Sequence, residues 1–400
     1  MPLLNFLLVG LCGLWICGFL YLFLAARRIP QFDRLPFKPP KEWPLLSVVI
    51  PACNEASNIA SAIQSLLRQD YPNFEVILIN DRSTDGTGEI VDRLAARDRR
   101  IRALHLRSLP NGWLGKVHAL ERGVEVANGE WFLFTDADVH FAAGTLRHAM
   151  GWAIDQHIDH LALAPLALQR SFLLDIVVHA FMLLFLIGTR TAGINRPGSR
   201  GFVGVGAFNL VRRASFQRTP GFQWLRLEPC DDVGLGLMIK RAGGRSFFAL
   251  AQQNLTVAWY PSVPAMFKGL EKNLFGATAN YRWWVTAVEV GALCALAAAP
   301  SLAIVLGLAQ STGRLLYMGI LALGVHCFFS LMATTEGWRG RVSLLLAPLG
   351  LWMIGAMMVH AAWQCLSHGG IQWRGTHYPL AELRAGQRVT VGFPPFGPGD

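Results

Sequence analysis

The sequence predicts an α/β domain with a mostly parallel sheet, set between an N-terminal membrane helix and several C-terminal ones. Three observations carry that reading. Apolar strands alternate with amphipathic helices from residue 45 to about 135, as right-handed crossovers between parallel strands require. Long uncharged runs stand at both ends of the chain. Of the 400 residues, 52% are hydrophobic and 16% charged. With Gly counted and Tyr left out, about 60% are apolar, against about 45–50% in soluble proteins. A disordered chain, a disulfide scaffold and an ordinary soluble enzyme are excluded.

The elements follow in order. Residues 1–28 form an N-terminal anchor: 3–26 carry no charge and end at Arg27-Arg28. A signal peptide would open basic and have a shorter apolar core, whereas roughly 24 apolar residues suffice to span. The double Arg puts the next domain on the cytoplasmic face of the cell inner membrane. Residues 29–44 are a Pro-rich, stiff spacer. The catalytic-type α/β domain covers 45–284. Strands are expected at Leu46–Pro51, Glu75–Asp81, Ile101–Leu106 and Glu130–Thr135, and helices at Ser57–Gln69, Gly86–Arg97 and Gly115–Asn128.

Within that domain the run 172–187 is apolar but has Asp175 and His179 four apart on one face. It reads as an in-plane interfacial helix, with a buried helix or a span as alternatives. A C-terminal bundle, 285–366, contains the runs 285–309, 314–334 and 342–366, parted by links with Arg314, Arg339 and Arg341. The tail, 367–400, is polar and ends rich in Gly and Pro.

A net charge of +10 suits phosphates or an anionic leaflet. With no zinc-finger spacing and no basic run interleaved with aromatics, nucleic acid is not the expected partner. The seven cysteines include no C-x-x-C, which implies a reducing compartment with neither disulfide nor cysteine-held metal. No G-x-x-x-x-G-K-[ST] occurs, so a Walker-type ATPase is excluded.

In a parallel sheet, ligands sit beyond the carboxyl ends of the strands, and the polar clusters fall there. Asp136-Ala137-Asp138 closes an apolar strand. Two carboxylates at that spacing suit a hard divalent cation, although the pair alone reads equally as a turn. Pro51-Ala52-Cys53-Asn54-Glu55 follows the first strand, and Asn80-Asp81-Arg82-Ser83-Thr84-Asp85-Gly86-Thr87 closes the second. Three such clusters facing one crevice make a site. Further on, Asp231-Asp232 precedes a helical run to Gly243; acids there are also ordinary dipole partners.

These segments, with Trp113-Leu114-Gly115-Lys116, together resemble the family-2 glycosyltransferases over about residues 45–270. The resemblance implies a GT-A nucleotide-sugar fold and a nucleotide-sugar donor, in the first instance a UDP-sugar. It implies that Pro51, Asn54, Glu55 and Asp81 line the nucleoside site, with Asp81 on the base. Asp136 would lie near the ribose and the metal, Asp138 would ligate Mg2+ or Mn2+, and Lys116 would meet phosphate charge. Asp232 matches the general base; Asp231 stands where the family usually has Glu. Gly204-Val205-Gly206-Ala207-Phe208-Asn209 resembles the acceptor-side segment.

Processive synthases of the superfamily carry Q-x-x-R-W, but here Ala279 stands at the Gln position before Arg282-Trp283. Trp259-Tyr260-Pro261 therefore reads as an interfacial aromatic belt. The layout resembles bacterial members associated with hopanoid or carotenoid pathways. It implies transfer of one sugar to a membrane lipid hydroxyl, isoprenoid-derived in that case. The rivals are a processive polysaccharide synthase and a non-catalytic membrane scaffold. If Trp373 to Tyr378 assists the site, the tail is inside and one apolar run turns back; Pro300, in the middle of 285–309, is the expected break.

Overall fold

The computed structural model describes residues 2–168, 171–196, 198–333 and 337–391; residue 334 of the run 314–334 and 392–400 of the expected tail lie outside them. Among the described residues ten strands build the α/β part: β1 (Leu46–Ala52), β2 (Phe74–Asp81), β3 (Ile101–Leu106), β4 (Trp131–Phe134), β5 (His140–Phe141), β6 (His160–Ala164), β7 (Leu166–Ala167), β8 (Asn209–Arg212), β9 (Ser246–Leu250) and β10 (Leu255–Val257). Seven form the main sheet in the order β3-β2-β1-β4-β8-β6-β9. The first four are parallel, and β8 runs antiparallel to both β4 and β6. The chain steps outward from β1 to β3 and then returns to the other side of β1 with β4. That reversal opens the crevice at the strand ends.

The first helices are α1 (Pro2–Ala26), α2 (Ile59–Leu67), α3 (Thr87–Arg97), α4 (Gly115–Val126) and α5 (Thr145–Asp155). Alternation along β1 sorts its side chains: Val49 faces Ile77, Phe132 and α4, while Val48 and Ile50 face Leu78, Ile63 and α2. Every expected strand and helix of this half is present, most trimmed by one or two residues at an end. The later strands, β6, β8 and β9, were not marked by periodicity.

The remaining helices are α6 (Phe172–Gly188), α7 (Arg213–Phe216), α8 (Asp231–Arg241), α9 (Val263–Ala279), α10 (Trp283–Ala309), α11 (Gly313–Met332), α12 (Gly337–Leu345), α13 (Ala347–Ser367) and α14 (Leu380–Gly386), with the hairpin β11 (Gly370–Trp373) and β12 (Thr376–Pro379) before α14. Among the described residues, four helices are long and apolar enough to cross a membrane: α1, α10, α11 and α13.

The run 342–366 holds two helices: α12 ends at Leu345, and α13, still long and apolar enough to span, starts at Ala347 with Pro348 in its first turn. Proline lacks the N–H that would carry α12 onward, and its fixed φ suits a helix start. The expected break at Pro300 is absent, because α10 is continuous through it. The polar pair that made 172–187 ambiguous is partnered: Asp175 pairs with Arg339, and His179 Nδ1 meets the Ser343 hydroxyl at 3.0 Å, both from α12.

Candidate active site

The crevice draws its floor from the ends of β1, β2 and β4. Because β8 is antiparallel, its beginning lies beside the end of β4, with Phe134 opposite Asn209. This register brings the segment before β8 against the Asp136–Asp138 pair: the Asp136 N–H donates to the Gly206 carbonyl at 3.0 Å. On the other side the Gly206 N–H donates to Asp232 Oδ2 at 2.9 Å. A Cβ at Gly206 would stand 2.5 Å from Asp136 Oδ2 and 3.5 Å from Asp232 Oδ2. Only a residue without a side chain leaves both carboxylates in place. Gly204 is similarly required, since a Cβ there would overlap the Asp232 carbonyl.

Lys116, in the first turn of α4, bridges the two walls. Its Nζ is 2.8 Å from Asp136 Oδ1 and 3.3 Å from Asp231 Oδ2. Burial works against the ammonium, but Asp136, Asp231 and Asp232 outweigh it and hold its pKa above the ordinary lysine value. Burial likewise opposes ionisation of Asp136, and the Lys116 charge overrides it, leaving that pKa low. Asp232 feels the same lysine more weakly, and among the described residues it forms no direct ion pair. Burial, then the charge of Asp231, pushes its pKa up to about 6. A carboxylate poised there accepts a proton more readily than an ordinary one. Asp231 and Asp232 open α8, where the unpaired N–H groups favour acids.

Asp138 differs from Asp136. Burial first, and then the charges of Asp136 and Glu55, raise its pKa to about 7. Among the described residues no group of three or more His, Cys, Asp or Glu side chains is arranged to hold a metal ion. The donor set nevertheless fits a divalent cation shared with a diphosphate. Mg2+ is typically held by one or two carboxylates, with phosphate and water oxygens completing the shell. Lys116 engages Asp136, which leaves Asp138 as the carboxylate whose neighbours are chiefly acidic.

The side expected to receive the nucleoside is a pair of interlocked loops. The Asn54 N–H donates to the Ser83 hydroxyl at 3.0 Å, the Thr84 N–H returns a bond to Asn54 Oδ1 at 2.8 Å, and the Glu55 N–H donates to Thr87 Oγ1 at 2.9 Å. Asn54 and Arg82 adopt the left-handed region, at φ of 59° and 55°. Asp81, buried, takes two bonds from Arg82, at 2.7 and 3.0 Å. Pro51 lines the pocket with Lys116, Asp136, Asp231 and Asp232. Of the expected site residues, these five line one pocket, while Asn54, Glu55, Asp81 and Asp138 stand at the ends of β1, β2 and β4 or in the loops that follow them.

Sequence reasoning missed three contributors. Lys272 of α9 sits beneath the site, its charge felt by Asp136, with Nζ 3.9 Å from the Trp373 ring. Nothing in the sequence separates it from Lys268 one turn earlier. Arg82 is the partner of Asp81 rather than a bystander in the loop. Buried Glu228 accepts from the backbone N–H groups of Cys230, Arg388 and Val389 at 3.0, 2.7 and 2.9 Å, tying the C-terminal segment to the start of α8. The hairpin of residues 370–379 does reach the crevice: Arg374 Nη2 lies 3.0 Å from Glu55 Oε1.

A mostly parallel sheet with acids at its strand ends and an antiparallel return beside them defines a GT-A-like α/β fold. Residues 47–219 match the family model described as Glycosyl transferase family 2. Glycosyltransferase GlyG of Streptococcus pneumoniae is 37% identical over 94 residues, 24% of this chain and 30% of that protein. The uncharacterized glycosyltransferase EpsJ of Bacillus subtilis is 34% identical over 116 residues, 29% of this chain and 32% of that protein. These matches thus span about a third of each relative's length. The mannosyltransferase PcManGT from Pyrobaculum calidifontis, solved in complex with GDP-Man and Mn2+, superposes with a TM-score of 0.53 at 20% identity, covering 91% of this chain and 99% of that one. That likeness speaks for the fold.

Proposed function

We propose that the protein is a membrane-bound, metal-dependent inverting glycosyltransferase moving one sugar from a nucleoside-diphosphate donor to a lipid hydroxyl at the cytoplasmic face. The observation that carries this reading is Gly206 between two carboxylates, Asp136 on the strand-end wall and Asp232 on the α8 wall. In this reading Asp81 and the loops at Asn54 and Glu55 receive the nucleoside. A divalent cation held by Asp138, with Asp136 beside it, would supply positive charge to the leaving diphosphate. Asp232 takes the proton of the acceptor hydroxyl while its oxygen bonds to the anomeric carbon. The bond from that carbon to the diphosphate oxygen breaks, and its electron pair leaves on the nucleoside diphosphate. One displacement with one base inverts the anomeric configuration.

The donor is read first as a UDP-sugar; GDP-Man in the structural neighbour makes a GDP-sugar the second candidate. A lipid acceptor, isoprenoid-derived in the leading reading, is supported by the helices packed under the crevice. Here α1, α10 and α11 act as the three spans. Asn5 Nδ2 donates to Gln310 Oε1 at 2.9 Å near one end, and Phe23 stacks on Phe329 near the other, so α1 runs antiparallel to α10 and parallel to α11. By contrast α13 lies along the catalytic part: Gly350 packs on α6, and His360 meets Glu271 of α9 at 2.8 Å. Half of its most apolar stretch is buried, against 22–28% in the other three. The tail then shares the cytoplasmic side with the crevice. A single Cys at Ser367 in a cysteine-free variant should resist an impermeant thiol reagent on intact cells; labelling would overturn this topology.

The functional test incubates the purified protein with membrane lipid extracts, Mg2+ or Mn2+ and labelled UDP- and GDP-sugars, and resolves products by mass. A lipid one sugar heavier is expected. Polymer ladders would favour a processive synthase, and no transfer with any donor would favour a scaffold.

A further inference from the structure

The hairpin β11–β12 turns through Arg374 and Gly375, with Trp373 paired to Thr376. Both turn residues have positive φ, 47° and 78°. Two-residue hairpin turns of that kind favour Asn, Asp or Gly at the first position, because a larger side chain strains the backbone there. An arginine in that place is an outlier of the sort that accompanies a binding task.

Its surroundings indicate the task. The turn rests on the crevice rim, where Arg374 meets Glu55 and its charge is felt at Cys53 and Asp136. The flanks of the hairpin are fixed: Trp373 under Lys272, Thr376 against Arg82, and Tyr378 buried. Further along, Glu228 grips Arg388 and Val389, and the Val391 N–H donates to the Ala277 carbonyl at 2.7 Å. The guanidinium is therefore delivered to one place by a segment stitched down over some twenty residues. Its ion pair with Glu55 is half-open to water, with side-chain exposures of 39% and 22%, and such pairs exchange partners at little cost.

We propose that Arg374 binds the diphosphate of the nucleotide donor, with Glu55 holding the guanidinium when no donor is present. This rests on the donor reading above and adds a residue from outside the family-matched segment. Arginine suits the role, since its planar fork pairs two phosphate oxygens at once. The pair with Glu55 holds the guanidinium at the crevice rim, where an arriving diphosphate would present a denser negative charge. The C-terminal segment is thus a working wall of the donor site.

The test compares the full-length protein with Arg374→Asn and Arg374→Lys in detergent with Mn2+. Calorimetry measures binding of UDP, GDP, ADP, CDP and dTDP, and of the matching nucleosides. Asn suits the turn, so Arg374→Asn should keep or raise the melting temperature. It should weaken the preferred diphosphate at least tenfold and change nucleoside affinity less than twofold, with Arg374→Lys in between. Unchanged diphosphate affinity, or equal loss for nucleoside and diphosphate, would overturn the proposal while leaving the donor reading intact. Wild-type protein that binds none of the five would overturn both.

Discussion

On the strand-end wall, Asn54, Glu55, Asp81, Asp136 and Asp138 stand at the ends of three adjacent parallel strands, and their loops bond mainly to each other. On the opposite wall, Asp231 and Asp232 begin a helix held by distant pieces of chain: Gly206 before β8, Lys116 from α4, and Glu228 tied to residues 388–389. The first wall is a local product of the βαβ pattern. The second is pieced together from segments far apart in the chain, the tail among them. In the proposed reading the nucleoside is received on the sheet, whereas Asp232 and the diphosphate contact of Arg374 are tied through α9 and the tail to the helices beneath.

If the walls divide the work in this way, replacements should separate binding from transfer. The largest effect is expected from Asp138→Asn, which should abolish metal-stimulated transfer without unfolding the domain, because a strand-end carboxylate supplies charge rather than packing. Full turnover at saturating Mg2+ and Mn2+ would break the assignment. Asp232→Asn should lower transfer by about 10²–10⁴ while donor affinity stays within a few-fold. Collapse of donor affinity would move Asp232 to the first wall and make Asp231 the candidate base.

The pH profile sharpens the same division. Asp232 must be ionised to accept a proton, and burial raises its pKa to about 6. Transfer in the wild type should therefore fall as pH drops through about 6. A flat profile from pH 5 to 8 with bound donor would contradict the role.

A smaller effect is expected from Gly206→Ala, whose new methyl displaces Asp136 from Lys116; a misplacement near 1 Å lowers rates by up to about 10²-fold. Melting should change little, so a large fall in melting temperature would mark Gly206 as structural only. Smallest for catalysis should be Glu228→Gln, which leaves one of three buried N–H bonds poorly met, a loss of about 1–3 kcal/mol. Thermal unfolding should show that loss, with accelerated proteolysis confined to the C-terminal segment. Cleavage elsewhere first would break the link between Glu228 and the tail.

The difference between the walls also explains what the sequence could disclose. Strands β1 to β4 and their polar ends were legible because period-2 apolar runs and helix-period runs alternate over short distances, and each acid follows its strand directly. Asp232 was legible through its motif. Lys272, Glu228 and Arg82 were not, because each earns its role from a partner in space. Lys272 looks like any lysine on a helix, and Glu228 matters through Arg388 and Val389, 160 and 161 residues away. The apolar runs told length but not direction. Pro300 looked like a break yet lies inside a continuous helix, whereas Pro348 marks the real one.

A single displacement assisted by one base fixes the configuration of the product, which can be read directly. The purified protein is given a nucleotide sugar of known α-configuration, 13C-labelled at the anomeric carbon, with Mn2+ and the lipid that accepts it. The one-bond carbon–proton coupling of the product is then read by NMR before any anomerisation. The geometry of Asp232 across Gly206 from Asp136 predicts a β-linked lipid glycoside; an α-linked product would exclude a single displacement.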